Sequence, residues 1–113
     1  MGATRPTGAE GAFNIQTERD GDVMVLTAFG EIDISVAEDF GDELRRALSS
    51  GALSVVLDLQ QVSFLDSTGL GVLLAAVEES NTNGHKLRIM RPLSPAVEQM
   101  LEVTGLIDSL PWT

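Results

Sequence analysis

The first part of the chain alternates between apolar and polar residues. Phe13 to Thr17 show the two-residue period of a half-buried strand. Asp20-Gly21 follows and predicts a hairpin turn, because both residues accept positive φ. Residues 23–29 are again mostly apolar and predict the return strand. The chain therefore begins with an antiparallel hairpin.

A helical period of apolar residues appears in three later segments. The first begins after Ser35, where Ser35 and Glu38 have the spacing of a capping box. The second covers residues 70–77, with apolar residues at i, i+3, i+4 and i+7. The third begins at Ser94-Pro95, a pair that suits an N-cap followed by the first helical residue. Three helices are predicted.

Short apolar runs lie between these helices. Residues 55–59 are almost continuously apolar, which is typical of a strand buried on both faces, and residues 86–90 predict a further strand. Right-handed helical crossovers make such strands parallel. The order predicts an α/β fold, a mixed sheet with an N-terminal hairpin, mostly parallel strands and helices packed on it. Residues 107–112 predict a final edge strand or docking tail.

We expect a flexible N-terminal tail over residues 1–12 and a single domain over residues 13–113. The chain carries 17 acidic and 7 basic residues, a formal net charge of −10, so nucleic acid and anionic membrane surfaces are not expected partners. A basic protein surface would be attracted. Cys is absent, which excludes thiol catalysis and fits a reducing cytoplasm. No apolar run approaches the ~18 residues of a membrane span.

The corner between the third strand and the second helix concentrates the polar chemistry. It contains Asp66, Ser67 and Thr68, followed by Gly69 and Gly71. Unpaired N–H groups and the helix dipole favour an anion at such a helix start, so the fold would tolerate a phosphate on Ser67. Each glycine lowers helix propensity by about 1 kcal/mol, which requires either close packing or access for a partner. The plainer interpretation is equally open: Asp66 or Ser67 simply caps the helix.

Other chemistries lack necessary parts. The phosphate-binding pattern Gly-x-x-x-x-Gly-Lys and the nucleophile pattern Gly-x-Ser-x-Gly are absent, and the only histidine, His85, lies in a predicted surface turn. Asp33, Asp58 and Asp66 follow or end predicted strands and could form an acidic Mg²⁺ pocket, but such carboxylates are usually solvated. We expect no catalytic residue, no metal site and no cofactor.

The segment from Val62 to Leu73 (VSFLDSTGLGVL) resembles the signature of the STAS domain, and most closely that of the bacterial anti-sigma factor antagonists. Three further segments are similar at the corresponding places: 30–33, 55–59, and 94–97 together with 101–106. The resemblance extends from the first hairpin to Leu110.

This resemblance implies an anti-sigma factor antagonist. Ser67 corresponds to the serine that a cognate anti-sigma factor, itself a serine kinase, phosphorylates. The unphosphorylated antagonist binds the anti-sigma factor and releases a sigma factor; phosphorylation prevents binding, and a phosphatase resets the system. Asp33 corresponds to an acidic loop residue near the phosphorylation site. The expected partner-binding residues are Asp33, Asp66, Ser67, Thr68, Gly69 and Gly71.

The resemblance further implies a non-enzymatic cytoplasmic regulator that is a monomer or a weak homodimer. Two alternatives remain: a STAS regulatory subunit of a transporter or multi-protein sensor complex, or a nucleotide-binding protein that uses the helix start at Ser67. Family members commonly continue into a further C-terminal helix. Here Trp112 is expected to cover the apolar surface involved or to serve a dimer.

Overall fold

Four strands and three helices follow one another in the predicted order. The computed structural model describes residues 12–84 and 86–113. Most of the predicted N-terminal tail and His85 lie outside the described residues. The elements are β1 (Asn14–Asp20), β2 (Val23–Ile32), α1 (Ala37–Leu48), β3 (Ser54–Leu65), α2 (Ser67–Thr82), β4 (Leu87–Ile89), α3 (Pro95–Thr104) and a 3-10 turn (Ile107–Ser109).

The strands form one mixed sheet in the order β1-β2-β3-β4, which confirms the predicted α/β class. β1 and β2 are antiparallel, whereas β2, β3 and β4 are parallel. The hairpin turn lies one residue later than predicted. Asp20 still pairs with Val23, so the loop consists of Gly21 and Asp22, and Gly21 supplies the positive φ of 62°.

One face of the sheet carries the core. On this face, β2 is buried from Leu26 onwards and β3 from Val55 to Leu65, and the apolar stripes of the helices join these residues in one cluster. Full burial of each such aliphatic side chain contributes roughly 1.5–3 kcal/mol. The largest fully buried side chains are Phe40, Leu26, Ile32, Leu44, Leu57, Leu59, Leu73, Leu87, Ile89, Leu101, Val55 and Val62.

β3 is longer than the apolar run 55–59 predicts, because it stays paired with β2 as far as Leu65. The register shifts twice, between Thr27 and Phe29 and between Gly30 and Glu31, and β3 contains one extra residue at each shift. These irregularities act as β-bulges. They bring Leu65 beside Ile32, so the two central strands end together.

The C-terminal residues return to the sheet. Trp112 forms a parallel bridge with Ile89 and packs against the core. Its indole N–H donates to the Ile107 carbonyl at 2.9 Å, and the Arg91 guanidinium lies 4.3 Å from the ring centroid. The expectation of a final edge element that covers apolar surface is thus confirmed for Trp112. None of the helices in the described part of the chain is long and apolar enough to cross a membrane.

Candidate functional site at the start of α2

The ends of β2 and β3 bring the predicted site residues to one edge of the sheet. Ile32 and Leu65 are register partners, and the Asp66 N–H donates to the Ile32 carbonyl at 3.2 Å. Asp33 and Asp66 are the next residues along each chain segment. Two acidic residues therefore leave neighbouring strands at the same edge of the sheet, where α2 begins.

Asp66 caps α2. Its backbone is extended (φ −96°, ψ −178°), and its Oδ1 accepts from the Gly69 N–H at 2.9 Å. Its carbonyl accepts from the Leu70 N–H at 2.9 Å. Of the two capping residues left open by the sequence, the structure therefore selects Asp66. Ser67 becomes the first residue of the helix.

Ser67 and Thr68 are both exposed in the first turn of α2. Within residues 12–84 and 86–113, the Ser67 hydroxyl makes no hydrogen bond. It is free of the capping role, and it lies at the positive end of the helix dipole. The geometry leaves this oxygen open to a group brought by another molecule.

Gly69 and Gly71 have different surroundings although they are two residues apart. Gly69 is buried, and a Cβ built on it would lie 2.7 Å from Ile32 Cγ2, 2.8 Å from Leu65 Cδ1 and 2.9 Å from the Ile32 carbonyl oxygen. Of the two reasons that the sequence leaves open, close packing against the sheet therefore applies to Gly69. Gly71 is exposed, and a Cβ there would meet nothing within 4 Å.

Asp33 is tied into its own loop. Its Oδ1 accepts from the Ser35 N–H at 3.0 Å and from the Ser35 hydroxyl at 2.6 Å. The hydrogen bond from the Ser35 hydroxyl is the main cause that holds the pKa of Asp33 below its ordinary value of 3.8. Partial desolvation opposes this shift, and backbone hydrogen bonds support it. The predicted capping box at Ser35 is wrong: α1 begins at Ala37, and its N-cap residue, Val36, makes no side-chain cap.

Two exposed apolar side chains beside this corner were missed by sequence reasoning. Ile34 is 75% exposed and follows Asp33 directly, while Phe64 is 47% exposed at the end of β3. The sequence pattern indicates the exposure of both. Ile34 falls outside the apolar stripe of α1, and Phe64 lies on the opposite side of β3 from the buried Leu65. Phe64 also lines an apolar groove against α3, together with Met100 and Val103.

The acidic residues do not assemble as a metal pocket. Across the described residues, no group of three or more His, Asp or Glu side chains is placed to hold an ion. Asp58, which the sequence grouped with Asp33 and Asp66, pairs with Thr27 well before the end of β3. Its carboxylate accepts from the Gln60 N–H at 2.9 Å.

Comparison with known proteins identifies this arrangement. The sequence model of the STAS domain family matches residues 14–113 of this chain. The chain is 28% identical, over 96 residues, to the Anti-sigma-B factor antagonist of Staphylococcus aureus (strain NCTC 8325 / PS 47), and the match covers 85% of this chain and 88% of that protein.

Solved structures agree with the sequence relatives. An anti-sigma factor antagonist from Mycobacterium paratuberculosis has a TM-score of 0.78 at 26% identity, covering 92% of this chain and 87% of that one. The Bacillus cell fate determinant SpoIIAA in its phosphorylated form has a TM-score of 0.62 at 25% identity, covering 84% and 85%. Since the family model spans the whole sheet and all three helices, this chain belongs to the STAS domain family.

Proposed function

We propose that this protein is an anti-sigma factor antagonist whose binding surface is the start of α2 and whose binding is switched off by phosphorylation of Ser67. The observation that carries the proposal is the exposed Ser67 hydroxyl, which is left unbonded because Asp66 takes the capping role. Relatives of similar length bear the name of anti-sigma factor antagonists. One relative of the same fold has been solved in a phosphorylated form.

The chain's part in the chemistry is that of a substrate. A kinase transfers a phosphoryl group from ATP to the Ser67 Oγ, with release of ADP and of the hydroxyl proton. A phosphatase uses water to cleave the same ester. Within residues 12–84 and 86–113, no side chain forms a hydrogen bond with the Ser67 hydroxyl that would make it a general base for this oxygen, which favours an external catalyst.

The fold is expected to tolerate the phosphate. Phosphorylation adds about −1.5 to −2 charges at pH 7. At position 67 this charge lies at the N-terminus of a 16-residue helix, where the dipole and the free N–H groups of the first turn favour an anion. The switch therefore acts on a surface and leaves the domain folded.

The same charge is unfavourable for a partner that must contact this surface. Asp33 and Asp66 already make the corner acidic, so a phosphate would concentrate negative charge where close contact is required. The exposed side chains of Ile34, directly after Asp33, and Phe64, at the end of β3, offer apolar contact area. We infer that a partner covers these apolar side chains when it binds. A phosphate on Ser67 would repel or obstruct the partner, and this contact would be lost.

Binding measurements test the proposal. Wild-type and Ser67→Asp chains serve as baits in a lysate of the source cells, and the captured anti-sigma factor is then purified for calorimetry. Because a like-charge contact at an interface costs several kcal/mol, Ser67→Asp should weaken binding about 100-fold, while Ser67→Ala retains it. Ser67→Asp should not lower the free energy of unfolding, since an acid is favourable in the first turn.

Ser49→Asp is the matched control. Ser49 is exposed at the end of α1, and because α1 leads away from the corner to the start of β3, the new charge lies at the opposite edge of the sheet. This variant should bind as the wild type does. Normal binding by Ser67→Asp would refute the switch. Capture of a transporter or sensor subunit in place of an anti-sigma factor would support the alternative STAS role.

A further inference from the structure

The second face of the sheet differs from the face that carries the core. Its residues in β2 and β3 are half-buried or exposed, and they alternate with the fully buried residues of the core face. Val25 and Val56 lie side by side at the centre of this open face, and neither belongs to the core cluster. Two adjacent β-branched side chains are thus left partly in water.

A single row of register partners crosses this face. Glu18 pairs with Val25, Val25 pairs with Val56, and Val56 pairs with Arg88. The row therefore reads acidic, apolar, apolar, basic from β1 to β4. Glu18 and Arg88 are both exposed, and within the described part of the chain neither forms an ion pair.

We propose that two copies of this chain associate through these open sheet faces, with the two-fold axis parallel to the strands. Such an axis reverses the strand order, so β1 of one copy lies over β4 of the other. Glu18 then faces the partner's Arg88, Val25 faces the partner's Val56, and each contact occurs twice. The row is complementary to itself only in this arrangement.

The charges select this orientation over its competitor. A two-fold axis that lies between the two sheets and runs across the strands would place Glu18 opposite the partner's Glu18. It would likewise place Arg88 opposite the partner's Arg88. Both contacts would then be repulsive, which acts against that dimer. In the neighbouring row, the proposed axis also places the Thr27 hydroxyl opposite the partner's Asp58 carboxylate, where it can donate.

A second copy is the occupant that the row itself specifies, because it presents the same four residues in the reverse order. Each chain has a net charge of −10, so unspecific contact between copies is repulsive, and attraction requires opposite charges aligned locally. Twisted sheets that pack face to face diverge away from the centre of contact. The contact is therefore small, and we expect a weak dimer.

Analytical ultracentrifugation of the full chain over a concentration series measures this association. The wild type should show a reversible monomer–dimer equilibrium that weakens with added salt. Glu18→Arg places two arginines opposite each other and Arg88→Glu places two glutamates opposite each other. Each should raise the dissociation constant about 10- to 100-fold, since two exposed pairs change sign in every dimer.

The decisive measurement mixes the two variants. Neither associates well alone, but in the mixture the arginine at position 18 faces the glutamate at position 88, and the native pair at the other end is also attractive. A one-to-one heterodimer should form with near wild-type affinity. Glu78→Arg, on the exposed side of α2, is the control: it changes the net charge as Glu18→Arg does and should not weaken the dimer.

A wild type that stays monomeric at millimolar concentration overturns the proposal. A dimer that becomes stronger with Glu18→Arg also overturns it, because the net charge of the chain would then matter more than the row. So does a mixture of the two variants that forms no heterodimer. Circular dichroism of each variant excludes unfolding as the cause. The row crosses β3 at Val56, near the start of this strand, whereas Ser67 follows the end of the strand, so the results for the row and those for the Ser67 variants are distinguishable.

Discussion

Two aspartates leave neighbouring strands at the same edge of the sheet, yet they do different work. Asp33 follows β2 and folds back onto Ser35 within an exposed loop. Asp66 follows β3 and reaches forward to the Gly69 N–H. Asp33 contributes a negative charge to the surface, whereas Asp66 caps the start of a helix.

The difference arises from the residues that come next. Three residues separate Asp33 from Ala37, the first residue of α1, so the nearest donors to the Asp33 carboxylate belong to the loop. After Asp66 the helix begins at once, so the nearest unpaired donors are those of the first helical turn. The two aspartates therefore differ in role because different backbone N–H groups follow them along the chain.

The largest expected effect is at Gly69. Gly69→Ala should lower the free energy of unfolding by about 2 kcal/mol, because its Cβ would overlap the Ile32 backbone and the helix start would have to move. Gly71→Ala, with nothing within 4 Å of its Cβ, should raise stability by about 0.5–1 kcal/mol. Urea denaturation at equilibrium measures both. Equal effects at the two positions would contradict the packing role of Gly69.

An intermediate effect is expected when the cap is removed. Asp66→Ala should cost about 1 kcal/mol, because the Gly69 N–H loses its acceptor, whereas Asp66→Asn keeps an acceptor oxygen and should cost less. Hydrogen exchange at the Gly69 amide should accelerate in the alanine variant. If both substitutions were silent in denaturation and in exchange, Asp66 would not hold the helix start.

The smallest effect concerns the charge of Asp33. Ser35→Ala removes the main hydrogen bond that lowers the pKa of Asp33, so this pKa should rise towards 3.8. In the wild type the folded pKa lies below the unfolded one, so the stabilising contribution is present above pH 3.8 and is lost as the pH falls through the folded pKa. NMR titration of the side-chain carboxyl carbon measures the shift. Ser49→Ala is the control, and an Asp33 pKa insensitive to Ser35→Ala would refute the assignment.

The element order and the sheet class were predictable from the sequence because they depend on local periodicity. The apolar stripe after Ser35, the run 55–59 and the pair Ser94-Pro95 each mark an element without knowledge of its neighbours. Ser94 was correctly identified as an N-cap, and its Oγ accepts from the Val97 N–H at 3.2 Å. The clustering of Asp33 and Asp66 follows from parallel strands that end together.

The remaining features depend on distances across the fold. The extension of β3 to Leu65 requires β2 as a pairing partner. Its two bulges change the spacing of the buried residues from two to three after Leu59, and this spacing alone does not indicate a strand. The role of Gly69 depends on Ile32, which lies 37 positions earlier in the chain but in contact across the corner. At Ser35 two local hydrogen bonds compete, and the carboxylate of Asp33 prevails over the helix cap.

The indole ring of Trp112 gives the molecule a built-in optical reporter. The chain has one Trp and no Tyr, so near-ultraviolet emission arises almost entirely from this ring. The ring packs on the core, lies beneath the Arg91 guanidinium and belongs to the segment that pairs with Ile89. Fluorescence therefore follows detachment of the C-terminal segment, while backbone dichroism follows the helices. A difference between the two transitions would reveal whether this end of the sheet opens before the rest unfolds.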